Sequence, residues 1–131
     1  MWVKIFLLML LCHIIDDFVL QPVCLSKLKQ KSWWEKNVLS ESKSYRELYK
    51  DDYLMALIIH ALSWSIMIHL PIIFLLNPPA LVLSITVILN TFIHAVIDDL
   101  KANQHKINLI TDQNIHIIQI LITQLTYLFV L

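Results

Sequence analysis

Glycine is absent from this chain of 131 residues, cysteine occurs only twice, and the formal net charge is zero. The first absence leaves no glycine-rich phosphate loop. Cys12, inside an apolar run, and Cys24 are too few for a disulfide framework and read as reduced thiols. Ten basic residues balanced by ten acidic ones provide no electrostatic footprint for nucleic acid, which is excluded as a partner. Apolar residues, at 58%, with four tryptophans among them, dominate the composition. Such a chain is one membrane domain or one unusually apolar soluble domain.

The distribution of those residues favours the membrane. Four stretches, about 2–20, 53–76, 80–98 and 114–131, reach or approach the roughly 20 residues that a helix needs to cross hydrocarbon. They are apolar nearly all the way round, whereas a soluble bundle keeps a polar face on every helix. The expectation is an all-α integral membrane four-helix bundle, a single domain over 1–131. Lys4 ahead of a short apolar run suggests a signal peptide, but no small-residue cleavage site follows and Leu11 before Cys12 does not suit a lipoprotein signal.

Segment 21–52 carries seven of the ten basic residues: Lys27, Lys29, Lys31, Lys36, Lys43, Arg46 and Lys50. The third connection, 99–113, adds Lys101 and Lys106, and Asn77, Pro78 and Pro79 between the second and third spans carry no charge. The positive-inside rule then puts the first and third connections in the cytoplasm and both termini outside, with Lys4 the one dissenting charge. Within segment 21–52, Pro22 can open an amphipathic helix that lays Val23, Leu28, Trp33 and Trp34 on the membrane surface. Ser44 with Glu47 reads as a capping box for a helix running on into the second span, and the tryptophans read as interface anchors.

Against this apolar background a histidine and an aspartate recur one helical turn apart three times: His13 with Asp17, His94 with Asp98, and, reversed, Asp112 with His116. Each ionisable group in lipid costs about 2.5 to 3.5 kcal/mol on insertion scales, so each needs a partner. Residues four apart share a helix face and can present a nitrogen and an oxygen to one point. His60 lies about seven residues, or about 10 Å, inside the second span. All seven residues fall at one end of the bundle although they come from four helices of alternating direction. Thr86 and Asn90 extend the third-span stripe, and Gln119, Thr123 and Thr126 the fourth. A lone HxxxD braces a helix without any metal; three copies and His60 at one depth point to a metal centre. Four histidines and three aspartates exceed one tetrahedral zinc and suit two carboxylate-bridged ions, about 3.5 to 4 Å apart, with Zn, Mn or Fe as the metal. Asp16 and Asp99 can bridge, orient a histidine or act as general base, and Lys101 can hold a phosphate. His69 and His105 do not converge and read as interfacial or loop residues.

The run His13, Asp17, Phe18, Leu20, Gln21, then His60, then His94, Asp98, Lys101, then Asp112, Gln113, His116 resembles, in order and spacing, a family of small bacterial and phage membrane proteins designated a domain of unknown function. The resemblance covers nearly the whole chain, and its register favours Asp17 and Asp98 over their neighbours Asp16 and Asp99. The layout is also similar to that of membrane-bound metal-dependent hydrolases of bacteria. A centre opening toward the cytoplasm at headgroup depth suits metal-assisted hydrolysis of a lipid or lipid-linked ester, with Lys101 favouring a phosphoester. A proton or metal transporter, and a non-enzymatic phage or bacterial effector with a structural metal site, are the alternatives. Homo-oligomerisation stays open.

Overall fold

The computed structural model describes residues 1–21, 23–40 and 42–131, and all the regular structure among them is helical. Helix α1, Trp2–Ile14, continues as a π-helical turn, Ile15–Leu20, in which Gln21 N donates to Asp16 O, five residues back. Three short helices follow: α2, Val23–Leu28; α3, Lys31–Asn37; and α4, Lys43–Tyr49. Three long ones complete the chain: α5, Asp52–Leu76; α6, Ala80–Ala102; and α7, Leu109–Val130. α5 packs along α6 and α1, and α7 packs against α6 and α1, so the first long helix and the last close a ring. Among the described residues two stretches, where four spans were expected, are long and apolar enough to cross a membrane: Lys43–Leu76, with α4 and α5 taken together, and Ala80–Ala102.

Each long helix turns one stripe inward. On α1 it is Ile5, Met9 and His13; on α6 it is Thr86, Asn90, His94 and Asp98, polar throughout. The apolar core, Ile5, Met9, Trp64, Ile68, Ile72, Ile120 and Tyr127, fills one half of the ring. The other half is lined by ionisable groups, while large apolar residues such as Leu7, Phe74, Ile88, Phe92 and Phe129 face outward. Without glycine, left-handed positions fall to other residues: Asn77 (φ 46°) ends α5 just before Pro78 and Pro79, and His105 (φ 52°) turns the chain between α6 and α7.

Several expectations need correction. The cap of α4 is Ser42, whose Oγ accepts from Tyr45 N at 3.2 Å, and not Ser44. Glu47 instead pairs with Lys50. The third connection is shorter than expected, because α6 runs a turn past Asp98 and α7 starts at Leu109, where the Asn108 side chain accepts from Thr111 N at 2.9 Å. Helix geometry does not stop where apolar residues do, since polar turns continue a helix into water. Trp64 and His69 are wholly buried rather than interfacial. The placement of Pro22 lies outside the described residues.

Candidate metal centre

The ring brings the ionisable residues to the end formed by the C-termini of α1 and α6 and the N-termini of α5 and α7. Asp98 is the hub. Its Oδ2 lies 3.4 Å from His60 Nε2, and its Oδ1 lies 3.5 Å from His116 Nε2. His60 Nε2 is also 3.6 Å from Asp17 Oδ1 and 3.3 Å from His94 Nε2, and His116 Nε2 is 3.4 Å from Asp112 Oδ1. Two three-residue sets, Asp17–His60–His94 and His94–Asp98–His116, have ligand atoms close enough to hold an ion.

These separations are long for hydrogen bonds. They match the edges of a coordination polyhedron, because ligands about 2.0 to 2.1 Å from a tetrahedral ion lie about 3.3 to 3.4 Å apart. Buried atoms without a hydrogen-bond partner include Asp17 Oδ1, Asp112 Oδ1 and His116 Nε2, all three of them in these short N···O pairs. Leaving a buried polar atom unpaired costs about 1 to 3 kcal/mol, and a converging set of such atoms could hold an ion.

The rings are held by stacking. Trp64 lies on His94 (centroids 4.2 Å apart, interplanar angle 21°), and His94 lies on His116 (4.1 Å, 28°). Trp64 Nε1 also donates to His13 Nδ1 at 2.7 Å. That bond changes the role of His13. With Nδ1 accepting, the ring proton sits on Nε2 and is donated to Gln113 Oε1 at 3.1 Å, so both nitrogens are engaged and His13 falls outside both ligand sets. In this arrangement His13 braces the candidate centre from outside both sets. Gln113 in turn points its amide nitrogen at Asp112 Oδ2 (3.1 Å) and Asp17 Oδ2 (3.4 Å).

The doubled acids separate. Asp17 and Asp98, which the family register favours, lie in the two sets. Asp16 Oδ1 accepts from Ser63 Oγ at 2.7 Å, and its Oδ2 lies 3.9 Å from His60 Nδ1, behind the ring. Asp99 turns away from the centre and caps the end of α6, accepting from Asn103 Nδ2 and Gln104 Nε2, each at 2.8 Å. Its role as a general base is thereby corrected: both oxygens are committed to the connection between α6 and α7. Lys101 pairs with Asp112 Oδ2 and lies 3.8 Å from Asp98 Oδ1.

One residue escaped sequence reasoning altogether. Lys29, at 7% exposure, reaches in from between α2 and α3 and places Nζ 2.6 Å from Asp98 Oδ2. Nothing distinguishes it in sequence from the other lysines of segment 21–52. Trp64 and Ser63 were legible in principle, being four and three residues beyond His60 on the same helix face. His69 lies in the other half of the ring, its Nδ1 2.6 Å from Ser65 O and its Nε2 3.2 Å from Thr86 Oγ1, and His105 is exposed in a connection. Comparison with models of known families, with characterised proteins and with solved structures finds no match to this chain.

Proposed function

We propose that this protein is a membrane-embedded, metal-dependent hydrolase of the small bacterial and phage family it resembles. Asp98 carries the reading: its two oxygens face His60 on one side and His116 on the other at nearly equal distances. Asp17, His60 and His94 would hold one ion and His116 and Asp112 a second, with Asp98 between the two groups as a further ligand and zinc, manganese or iron as the metal. Such ions supply a water whose pKa is lowered toward about 7 and polarise a phosphoryl or acyl oxygen. Asp16 sets the tilt of His60, His13 and Gln113 hold Asp17 and Asp112, and Lys101 holds a phosphoester.

All four long helices span the bacterial cytoplasmic membrane, with both termini outside and the centre opening at the cytoplasmic leaflet on a lipid or lipid-linked substrate. The apolar exterior, with the ionisable groups turned inward at one end, supports this placement. The test is elemental analysis of the detergent-purified protein with a phosphoester hydrolysis assay. About two transition-metal equivalents per chain, and loss of hydrolysis on chelation that the metal restores, are expected. Protein without stoichiometric metal, or hydrolysis indifferent to exhaustive chelation, refutes the reading.

Proton or metal transport is the second reading, favoured by the polar contacts that run on from the centre. Gln119 donates to Asn90, Asn90 to Thr123, and Thr86 joins His69 and Tyr127. Loss of metal or proton flux in His69→Ala, with metal content unchanged, would favour it.

A further inference from the structure

The mouth of the centre is a cavity of about 110 Å³ lined by Asp17, His60, Asp98, Gln113, Lys29 and Lys101, with Phe18, Gln21 and Leu109 at its edge. A space of that size admits several waters or a small anion. Two ammonium groups border it from different elements, Lys29 from the α2–α3 junction and Lys101 from the last turn of α6.

Lys29 is not held there by its own flexible stem alone. Asn103 fastens the backbone at this junction to the end of α6: its Oδ1 accepts from Lys31 N at 2.7 Å and its Nδ2 donates to Lys29 O at 3.2 Å. Asp99 in turn orients Asn103. Lys29 is buried as the counter-ion of the Asp98 oxygen that faces His60, which fixes an ammonium group at the mouth.

We infer that Lys29 and Lys101 form a two-lysine cradle for a phosphate group at the mouth, making the substrate a phosphomonoester or other phosphate-terminated molecule rather than a carboxylic ester. This rests on the proposed dinuclear centre. With a metal held by Asp98, the Lys29 ammonium, now that carboxylate's counter-ion, would be available to an anion. Two divalent ions and two ammonium groups would carry six positive charges against the four carboxylates Asp16, Asp17, Asp98 and Asp112, and a metal-activated hydroxide would offset only one of the excess two, which favours an anionic phosphate over a neutral carboxylic ester.

The test is calorimetric titration of the zinc-loaded full-length protein in detergent with inorganic phosphate, and separately with mixed micelles containing phosphatidate or diacylglycerol. Wild type, Lys29→Met, Lys101→Met and Asn103→Ala are compared, with metal content measured on every sample. Expected are phosphate binding that needs the metal, about tenfold or greater weakening in each lysine variant, a smaller weakening in Asn103→Ala, and unchanged zinc. Phosphatidate binding that exceeds inorganic phosphate and is absent for diacylglycerol assigns the group to a lipid, and equal binding assigns it to a soluble phosphate. Lysine variants that keep their zinc and bind both phosphates like wild type overturn the cradle and leave the hydrolase reading intact. Wild type that holds no zinc overturns both. Asn103→Ala, which lies outside the cavity, carries the test if a lysine variant does not fold.

Discussion

Replacing Asp98 by asparagine keeps its shape and removes one charge, which separates the two jobs the side chain holds. Asp98 and Lys29 are 2% and 7% exposed, with Nζ and Oδ2 2.6 Å apart. Breaking a buried ion pair by removing one partner costs about 3 to 5 kcal/mol, because the remaining charge stays desolvated. Lys29 lies at the rim on a four-carbon stem that can swing to water, so the low end, about 3 kcal/mol, is expected. For a chain of this size that lowers the melting temperature by roughly 10 °C. The assay is thermal unfolding in detergent with excess chelator, so that coordination contributes nothing. The double variant Asp98→Asn with Lys29→Met removes both charges and should recover most of the loss, yet bind as little metal as Asp98→Asn. An Asp98→Asn protein that melts within a degree or two of wild type, or a double variant no more stable than the single one, would refute the assignment of Lys29 as a buried counter-ion.

The remaining expectations concern the ligand set and the topology. Alanine at His60, His94 or His116 should remove most of the bound metal measured by elemental analysis. His13→Ala should retain more metal and lose about 1 to 3 kcal/mol of stability through the unpaired Trp64 N–H, and His69→Ala should keep its metal; metal loss in His13→Ala equal to that in His94→Ala would return His13 to the first coordination sphere. In a chain with Cys12 and Cys24 replaced by alanine, an impermeant thiol reagent applied to intact cells should label a cysteine placed at Asn77 and spare one at Ser40, and the opposite pattern reverses the topology.

Much of the centre was legible because fourfold spacing is a local property: His94 with Asp98 and Asp112 with His116 each lie on one helix face, and any α-helix brings them together. The inward stripe of α6 follows from the same arithmetic. Hydrogen-bond competition was not legible. His13 has the same spacing to Asp17 as His94 has to Asp98, yet Trp64, 51 residues away, claims its lone pair. Nor could spacing tell Asp98 from Asp99. One residue further along, Asp99 points toward the connection after α6, where Asn103 and Gln104 take both its oxygens. The arrival of Lys29 depends on how a short-helix segment folds back, which no periodicity encodes. The helices were expected to end with their apolar runs, and α6 instead continues through Lys101 into Ala102.

The closure of the ring by α1 against α7 sets an order of assembly. Gln113 and Gln124 of α7 reach His13 and the Trp2 carbonyl of α1, so α1 cannot complete its contacts until α7 has been made. Until α7 arrives, Asp17 and Asp98 stand on three helices without His116, and Trp64 and His94 lack the ring that completes their stack. In a membrane each such group exposed to lipid would cost about 2.5 to 3.5 kcal/mol, so α1, α5 and α6 form a receptacle for α7, and the candidate centre is whole only once α7 has joined them.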